Sequence, residues 1–421
     1  MRVHFEPGVC RGTVTVPPSK SMAHRTLICA ALAEGESVIE NLAFSQDIEA
    51  TIRGLTAFGA AVERVGDSTV RVKGMGWPKA PAEQIDCGES GSTLRFLIPL
   101  AALAGKPVRF VGHGRLMERP QNVYAEIFAQ KGVKFSHTAE EIFVDGMLPA
   151  GEYTVDGSVS SQFITGLLLA LSLLKEPSTL TVKPPFESAS YVALTCAAMA
   201  DCGVHLQQNG NTFSIKGNEK YTSENLKVEG DWSQAAFFAV PGSIAGGISV
   251  RGLRADSLQG DRVVLEILRR CGARFQEENG VYSFEKSALT AAEIDLADCP
   301  DLGPVLMAMA LFCEGETHFI NAGRLRIKES DRIAAMESEI RKMGGVIRST
   351  QDEVFVTGGP LHSANLDSHN DHRIAMAMAA ASMASGVPVV IDDAQAVRKS
   401  YANFWDDAAS LGAQVKRDET T

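Results

Sequence analysis

The chain carries 421 residues, 45% of them hydrophobic, 22% charged and 7% aromatic, and its 51 acidic against 40 basic side chains leave a net charge of −11. That apolar share closes cores in two or three domains of ordinary size, which excludes wholesale disorder, and the surplus negative charge repels nucleic acid and anionic lipid except at a local basic site. No apolar run reaches the roughly 18 to 20 residues of a membrane span, the longest candidate, residues 163–174, being interrupted by Thr165, Gly166 and Ser172.

The opening Met1-Arg2-Val3-His4-Phe5 starts neither an export signal nor an Arg-rich amphipathic leader, so a cytoplasmic location is expected. The eight cysteines, at 10, 29, 87, 196, 202, 271, 299 and 313, form no CxxC pair and fall mostly in apolar segments. That spacing suits reduced core residues, with neither a metal site nor a disulfide framework.

In chain order, an apolar helix feeding a strand recurs at residues 21–41, 93–112, 162–182, 233–252, 302–322 and 372–392. Each is followed by an outer helix that ends in glycine and runs on into short strands, at 54–65, 127–137, 197–208, 267–278, 340–350 and 408–418. The terminal glycines, Gly59, Gly132, Gly203, Gly272, Gly344 and Gly412, are spaced by 73, 71, 69, 72 and 68 residues, so six units of about 70 residues account for the chain. Glycine suits a helix C-terminus because the chain commonly turns there through a left-handed conformation. The first helices are apolar nearly all round and should be buried; the second, such as residues 47–59 with Ile48, Ile52, Leu55 and Phe58, carry one apolar stripe and should lie outside.

Polar residues interrupt the pattern where the apolar helices begin. Ser19-Lys20-Ser21, Glu89-Ser90-Gly91-Ser92, Ser160-Ser161-Gln162, Asp231, Asp301 and Asp371-His372-Arg373 all stand there. Capping by itself accounts for about half of these residues. It does not explain Lys20, Arg25, Arg95 or Arg373, since cations oppose the positive end of a helix dipole and call for an anion beside them. Residues 324–332, RLRIKESDR, are the most informative segment. Read as a strand entering a helix, it sets Arg324, Arg326 and Lys328 on one face and presents Glu329 and Arg332 at a turn that Ser330 caps. Arg119 before Pro120, and Lys399-Ser400, add further cations, each dismissible singly as surface charge.

Together these motifs, PPSKSMAHR at 17–25, SVSSQ at 158–162, CPDLGPVLM at 299–307, RIKESDR, NDHRIAMAM at 370–378 and the Lys399-Ser400 pair, resemble the 5-enolpyruvylshikimate-3-phosphate synthases along the whole chain. The resemblance implies an α/β fold: a two-domain inside-out α/β barrel of six βαβαββ repeats, three per domain, with an interdomain active-site cleft. It implies a shikimate-3-phosphate-binding domain over 18–228, and a second domain of 1–17 plus 229–421. The implied activity transfers the enolpyruvyl group of phosphoenolpyruvate to the 5-hydroxyl of shikimate 3-phosphate, in a cytoplasmic monomer that needs no metal or cofactor and binds neither nucleic acid nor membrane. Shikimate 3-phosphate would meet Lys20, Ser21, Arg25, Ser160, Ser161, Ser188, Tyr191, Asp301 and Lys328. Phosphoenolpyruvate would meet Lys20, Gly91, Arg119, Gln162, Arg332, Arg373 and Lys399. Asp301 takes the proton-abstracting position, Glu329 that of an acid/base partner, and Lys20 joins them as a catalytic cation.

Two residues depart from the family pattern. Glu89 and Arg324 stand where asparagines are usual, and a cation, Arg324 being one candidate, is expected to neutralise Glu89. The small Gly91 beside phosphoenolpyruvate implies sensitivity to glyphosate, and the crowded cations imply domains that close only around anions. Two other readings compete. A UDP-N-acetylglucosamine enolpyruvyl transferase would share the architecture but usually carries a cysteine in the loop occupied here by Arg115–Arg119. A DNA sliding clamp, also six-fold and acidic, would line a hole with its cations instead of placing them beside Asp301 and Glu329.

Overall fold

The computed structural model describes residues 1–418. The chain divides into two compact units, a central one of Pro18–Val228 and a terminal one of Met1–Pro17 with the chain from Glu229 onward. Each has its own apolar core.

The same sheet occurs three times in each unit. Four strands pair so that the first two run parallel and the remaining two complete the sheet antiparallel, as in 152–156, 178–183, 212–215 and 207–209. Three sheets are completed by strands distant in sequence, Gly12–Thr15 lying parallel to Ile248–Arg251 in one of them. Asn225–Lys227 lies parallel to Glu36–Glu40, and the N-terminal strand Arg2–Glu6 fits between Val389–Asp392 and Gln414–Asp418. Alternation along the strands sends Val3 and Phe5 inward and leaves Arg2 and Glu6 outside.

Between the sheets run the apolar helices. In the central unit these are Lys20–Leu32, Gly91–Ala101 and Ser161–Leu171, the last two packed on each other and the first on Ala189–Asp201. In the terminal unit Trp232–Ala245 and Gly303–Ala310 both pack on His372–Ser385. From Leu27 to Ala31, and from Ile374 to Ala380, no residue is measurably exposed, as expected of a helix with no polar stripe. Fully burying each large aliphatic side chain contributes about 1.5–3 kcal/mol. All six repeat glycines adopt positive φ, from +74° at Gly132 to +111° at Gly59. The outer helices therefore end where a residue without Cβ lets the chain reverse.

Helix starts are capped by side chains. Ser19, Ser90, Ser160, Asp231 and Asp371 each accept a hydrogen bond from an amide of the first turn. One segment differs from the sequence expectation. Gly323–Ile327 is a turn of 3₁₀ helix, not a strand, so Arg324, Arg326 and Lys328 do not share a strand face. Nor is Ser330 the cap: Asp331 accepts from the Ala334 amide, while Ser330 donates to Asp371. A carboxylate is the stronger acceptor for a helix terminus, and it leaves the hydroxyl free to turn inward. Asp301 likewise sits in a 3₁₀ turn, Pro300–Leu302, just before its helix.

All eight cysteines are free thiols. Among the described residues, no helix is long and apolar enough to cross a membrane.

Candidate functional site

The central unit gathers its cations at three helix starts. Lys20, the first helical residue, donates to Asp47 at 2.7 Å. Asp47 lies in the first turn of the outer helix Gln46–Ala57, so one carboxylate serves both a helix dipole and a lysine. One turn on, Arg25 is 2% exposed. Its guanidinium donates to the Thr195 hydroxyl at 2.8 Å, the Ser21 carbonyl at 2.6 Å and the Tyr191 carbonyl at 2.9 Å, and lies 5.1 Å from the Phe96 ring centre. Hydroxyl and carbonyl groups orient a cation without neutralising it, and burial pulls the Arg25 pKa down to about 10.

Arg95 ties the next two starts together. It donates to the Gln162 side-chain oxygen and to the Pro120 carbonyl, each at 2.9 Å. The Gln162 amide in turn donates to Ser92 at 3.0 Å. Arg119, buried beside Pro120, has its guanidinium laid against Gly91, where an added Cβ would stand 2.4 Å from Nη1 and 2.7 Å from Cζ. Glycine at 91 is thus a steric condition for the position of Arg119. Ser160 caps the helix that Ser161 begins. Ser188 holds a left-handed backbone (φ 54°) before the helix Ala189–Asp201, whose first turn carries Tyr191.

In the terminal unit, carboxylates surround the cations. Arg332, 1% exposed, donates through Nε to Asp371 at 2.8 Å, through Nη1 to Asp301 at 3.2 Å and through Nη2 to Glu329 at 2.8 Å. Arg373 donates to the Asp301 carboxylate and to its carbonyl, each at 2.9 Å, and to Ser233 at 3.0 Å. Lys328 stands 3.6 Å from Asp301. Lys399 donates to the Asn370 carbonyl.

Burial would raise the Asp301 pKa, yet Arg373, Lys328 and Arg332 hold it well below the usual carboxylate range. Asp301 is therefore ionised at neutral pH. For Lys328 burial outweighs the pull of Asp301 and lowers the pKa to about 8. Arg332 is driven the other way: burial is overcome by Asp371, Glu329 and Asp301.

The terminal unit thus brings together Asp301, Lys328, Glu329, Arg332 and Arg373, with Lys399 on the turn beside them. The central unit brings together Gly91, Arg119 and Gln162, and separately Lys20, Ser21, Arg25 and Tyr191. Of the departing residues, Glu89 lies against Gly114, where an added Cβ would stand 2.4 Å from its carboxylate, and Arg324 donates to the Ala297 carbonyl at 2.6 Å.

Several partners went unassigned from sequence. Asp47, Arg95, Thr195 and Asp371 place the expected residues, and of these only Arg95 and Asp371 carried a signal, a cation and an acid at helix starts. Thr195 carried none, being one polar residue in an apolar stretch.

The EPSP synthase (3-phosphoshikimate 1-carboxyvinyltransferase) family model matches residues 6–408. Proteins named 3-phosphoshikimate 1-carboxyvinyltransferase from Clostridium kluyveri and Clostridium perfringens are each 43% identical to the chain, over 98% and 99% of both partners. Among solved structures, EPSP synthase from Acinetobacter baumannii superposes with a TM-score of 0.81 at 25% identity, covering 99% of this chain and all of that one. The enolpyruvyl transferase NikO from Streptomyces tendae shares the fold, with a TM-score of 0.79 at 17% identity over 99% of this chain and 98% of that one. The chain belongs to the EPSP synthase family.

Proposed function

We propose that the chain transfers the 1-carboxyvinyl group of phosphoenolpyruvate to the 5-hydroxyl of shikimate 3-phosphate, releasing phosphate, with residues of both units on the two substrates. The methylene carbon of phosphoenolpyruvate takes a proton, C2 becomes electrophilic, and the 5-hydroxyl attacks it as its own proton leaves. Loss of phosphate with one methyl proton then restores the enol ether. An acid and a base are both required.

The observation that carries this reading is the Asp301–Arg332–Glu329 arrangement. One buried guanidinium holds two carboxylates through separate nitrogens, so an ionised base and a second carboxyl share one cation. In this reading Asp301 removes a proton, Glu329 is its acid/base partner, and Lys20 is a compact cation at the reacting centre.

Shikimate 3-phosphate meets Lys20, Ser21, Arg25, Ser160, Ser161, Ser188, Tyr191, Asp301 and Lys328. Arg25, oriented by neutral acceptors, suits a phosphate that brings the missing charge. Phosphoenolpyruvate meets Lys20, Gly91, Arg119, Gln162, Arg332, Arg373 and Lys399, where planar guanidinium groups match carboxylate and phosphate edges. The inside-out barrel arrangement of the repeats, the cytoplasmic monomer, the neutralisation of Glu89 by a cation and inhibition by glyphosate belong to the same reading.

Phosphate release from phosphoenolpyruvate, measured with and without shikimate 3-phosphate, tests it. Release should depend on both substrates and fall about 10²–10⁴-fold in Asp301→Asn. Wild-type release that ignores shikimate 3-phosphate would overturn the reaction, and an unimpaired Asp301→Asn would overturn the role of Asp301.

A further inference from the structure

Between the strand Ala364–Asp367 and the buried helix His372–Ser385 the chain makes a turn in which His369 and Asn370 have φ of +52° and +55°. Single histidines and asparagines visit the left-handed region at modest cost, but two in succession without a glycine need support from outside the turn. This turn leads directly into the site. The Asn370 carbonyl receives Lys399, the Asp371 amide donates to the Ser368 carbonyl, and the Asp371 carboxylate holds Arg332. Whatever braces the turn also places two cations.

The brace is Glu339, a carboxylate with no exposed surface. It accepts the Asp367 amide at 2.9 Å, His369 Nε2 at 2.8 Å and Lys342 Nζ at 2.8 Å on both oxygens. Burial would raise its pKa, yet these donors hold it at about 2, so His369 Nε2 must carry the hydrogen. Glu339 shares the helix Arg332–Lys342 with Arg332 and follows it by seven residues, close to two turns, so both project from one face. One rigid rod therefore meets the loop twice, at Asp371 through Arg332 and at Asp367 and His369 through Glu339.

We propose that Glu339 is a positioning residue for the enolpyruvyl transfer, holding the Asp367–Asn370 turn so that Lys399 and Arg332 are presented to phosphoenolpyruvate. The inference rests on the assignment of those two cations to that substrate.

Steady-state kinetics of Glu339→Ala, Glu339→Gln, Lys342→Ala and His369→Asn, each with a melting curve, test it. A 1 Å misplacement of binding groups can cost about 100-fold, so Glu339→Ala should raise the KM for phosphoenolpyruvate about tenfold or more, with the KM for shikimate 3-phosphate within about twofold. Glu339→Gln keeps one acceptor oxygen for the Asp367 amide, and His369 can switch tautomer to accept from the new amide nitrogen, so this variant should recover most of the loss. Lys342→Ala removes an ion pair without touching the turn and should leave both KM values unchanged. If Glu339→Ala does not fold, His369→Asn decides, because asparagine tolerates the left-handed backbone but cannot reach Glu339; the KM for phosphoenolpyruvate should still rise. An unchanged KM for phosphoenolpyruvate in the folded variants, an equal rise for both substrates, or the same rise in Lys342→Ala would overturn the proposal. A wild-type enzyme inactive on the two substrates would instead overturn the functional reading on which it rests.

Discussion

Arg25 in the central unit and Arg332 in the terminal unit are equally hidden from water, yet they are held by opposite means. Arg25 is aimed by hydroxyls and carbonyls, whereas Arg332 is divided among three carboxylates. The pKa shifts follow the same division: burial lowers that of Arg25, while the carboxylates raise that of Arg332 despite its burial. A cation surrounded by neutral acceptors keeps its charge for an incoming anion, and a cation shared by carboxylates serves to fix and ionise them. Arg25 is thus set to receive charge, whereas Arg332 also holds Asp301, Glu329 and Asp371 in place.

The contrast should be largest in stability. Replacing Asp371 by leucine leaves the buried Arg332 without its best partner and should cost about 3–5 kcal/mol, whereas Arg25→Met, which removes a charge that no carboxylate compensates, should change stability by no more than about 1 kcal/mol. Urea unfolding of both variants measures this, with the two units allowed separate transitions. Equal losses would break the comparison. Arg25→Met should nonetheless abolish tight binding of shikimate 3-phosphate, which calorimetry reads directly.

A smaller effect is expected at Gly91. A Cβ 2.4 Å from Arg119 Nη1 forces the guanidinium aside, so Gly91→Ala should raise the KM for phosphoenolpyruvate about tenfold, worth about 1.4 kcal/mol, and weaken inhibition by glyphosate in parallel. Wild-type kinetics in Gly91→Ala would show that the guanidinium is not used where it lies.

The gentlest test is pH. With Lys328 at about 8 in the folded chain and near 10.5 when unfolded, the folded protein carries fewer protons between those values, so this group's contribution to stability increases as pH rises through that window. Its charge is lost over the same range, and affinity for shikimate 3-phosphate should fall above pH 8. Lys328→Arg should remove that limb. An unaltered pH profile in Lys328→Arg would assign the anion to other cations.

The sequence alone determined the helix pattern. Apolar helices, outer helices and the glycines ending them follow from local rules, since a residue without Cβ is favoured wherever a helix turns back through positive φ. All six glycines do so. It also marked helix starts that carry unexplained cations, because a lysine or arginine in a first turn is unfavourable by itself.

Only the tertiary structure decided what those cations meet. Thr195, 170 residues from Arg25, and Asp371, 39 residues beyond Arg332, become partners through packing, and no local spacing encodes that. The Arg324–Lys328 segment shows the limit from the other side: its alternating charges suit an edge strand, but Arg326 turns back to the Thr350 and Gln351 carbonyls and to Asp331, and the backbone winds into a 3₁₀ turn. Glu339 went unnoticed for a related reason. On paper it is one acid among several on an outer helix, and its burial against a strained turn exists only once helix and loop are packed together.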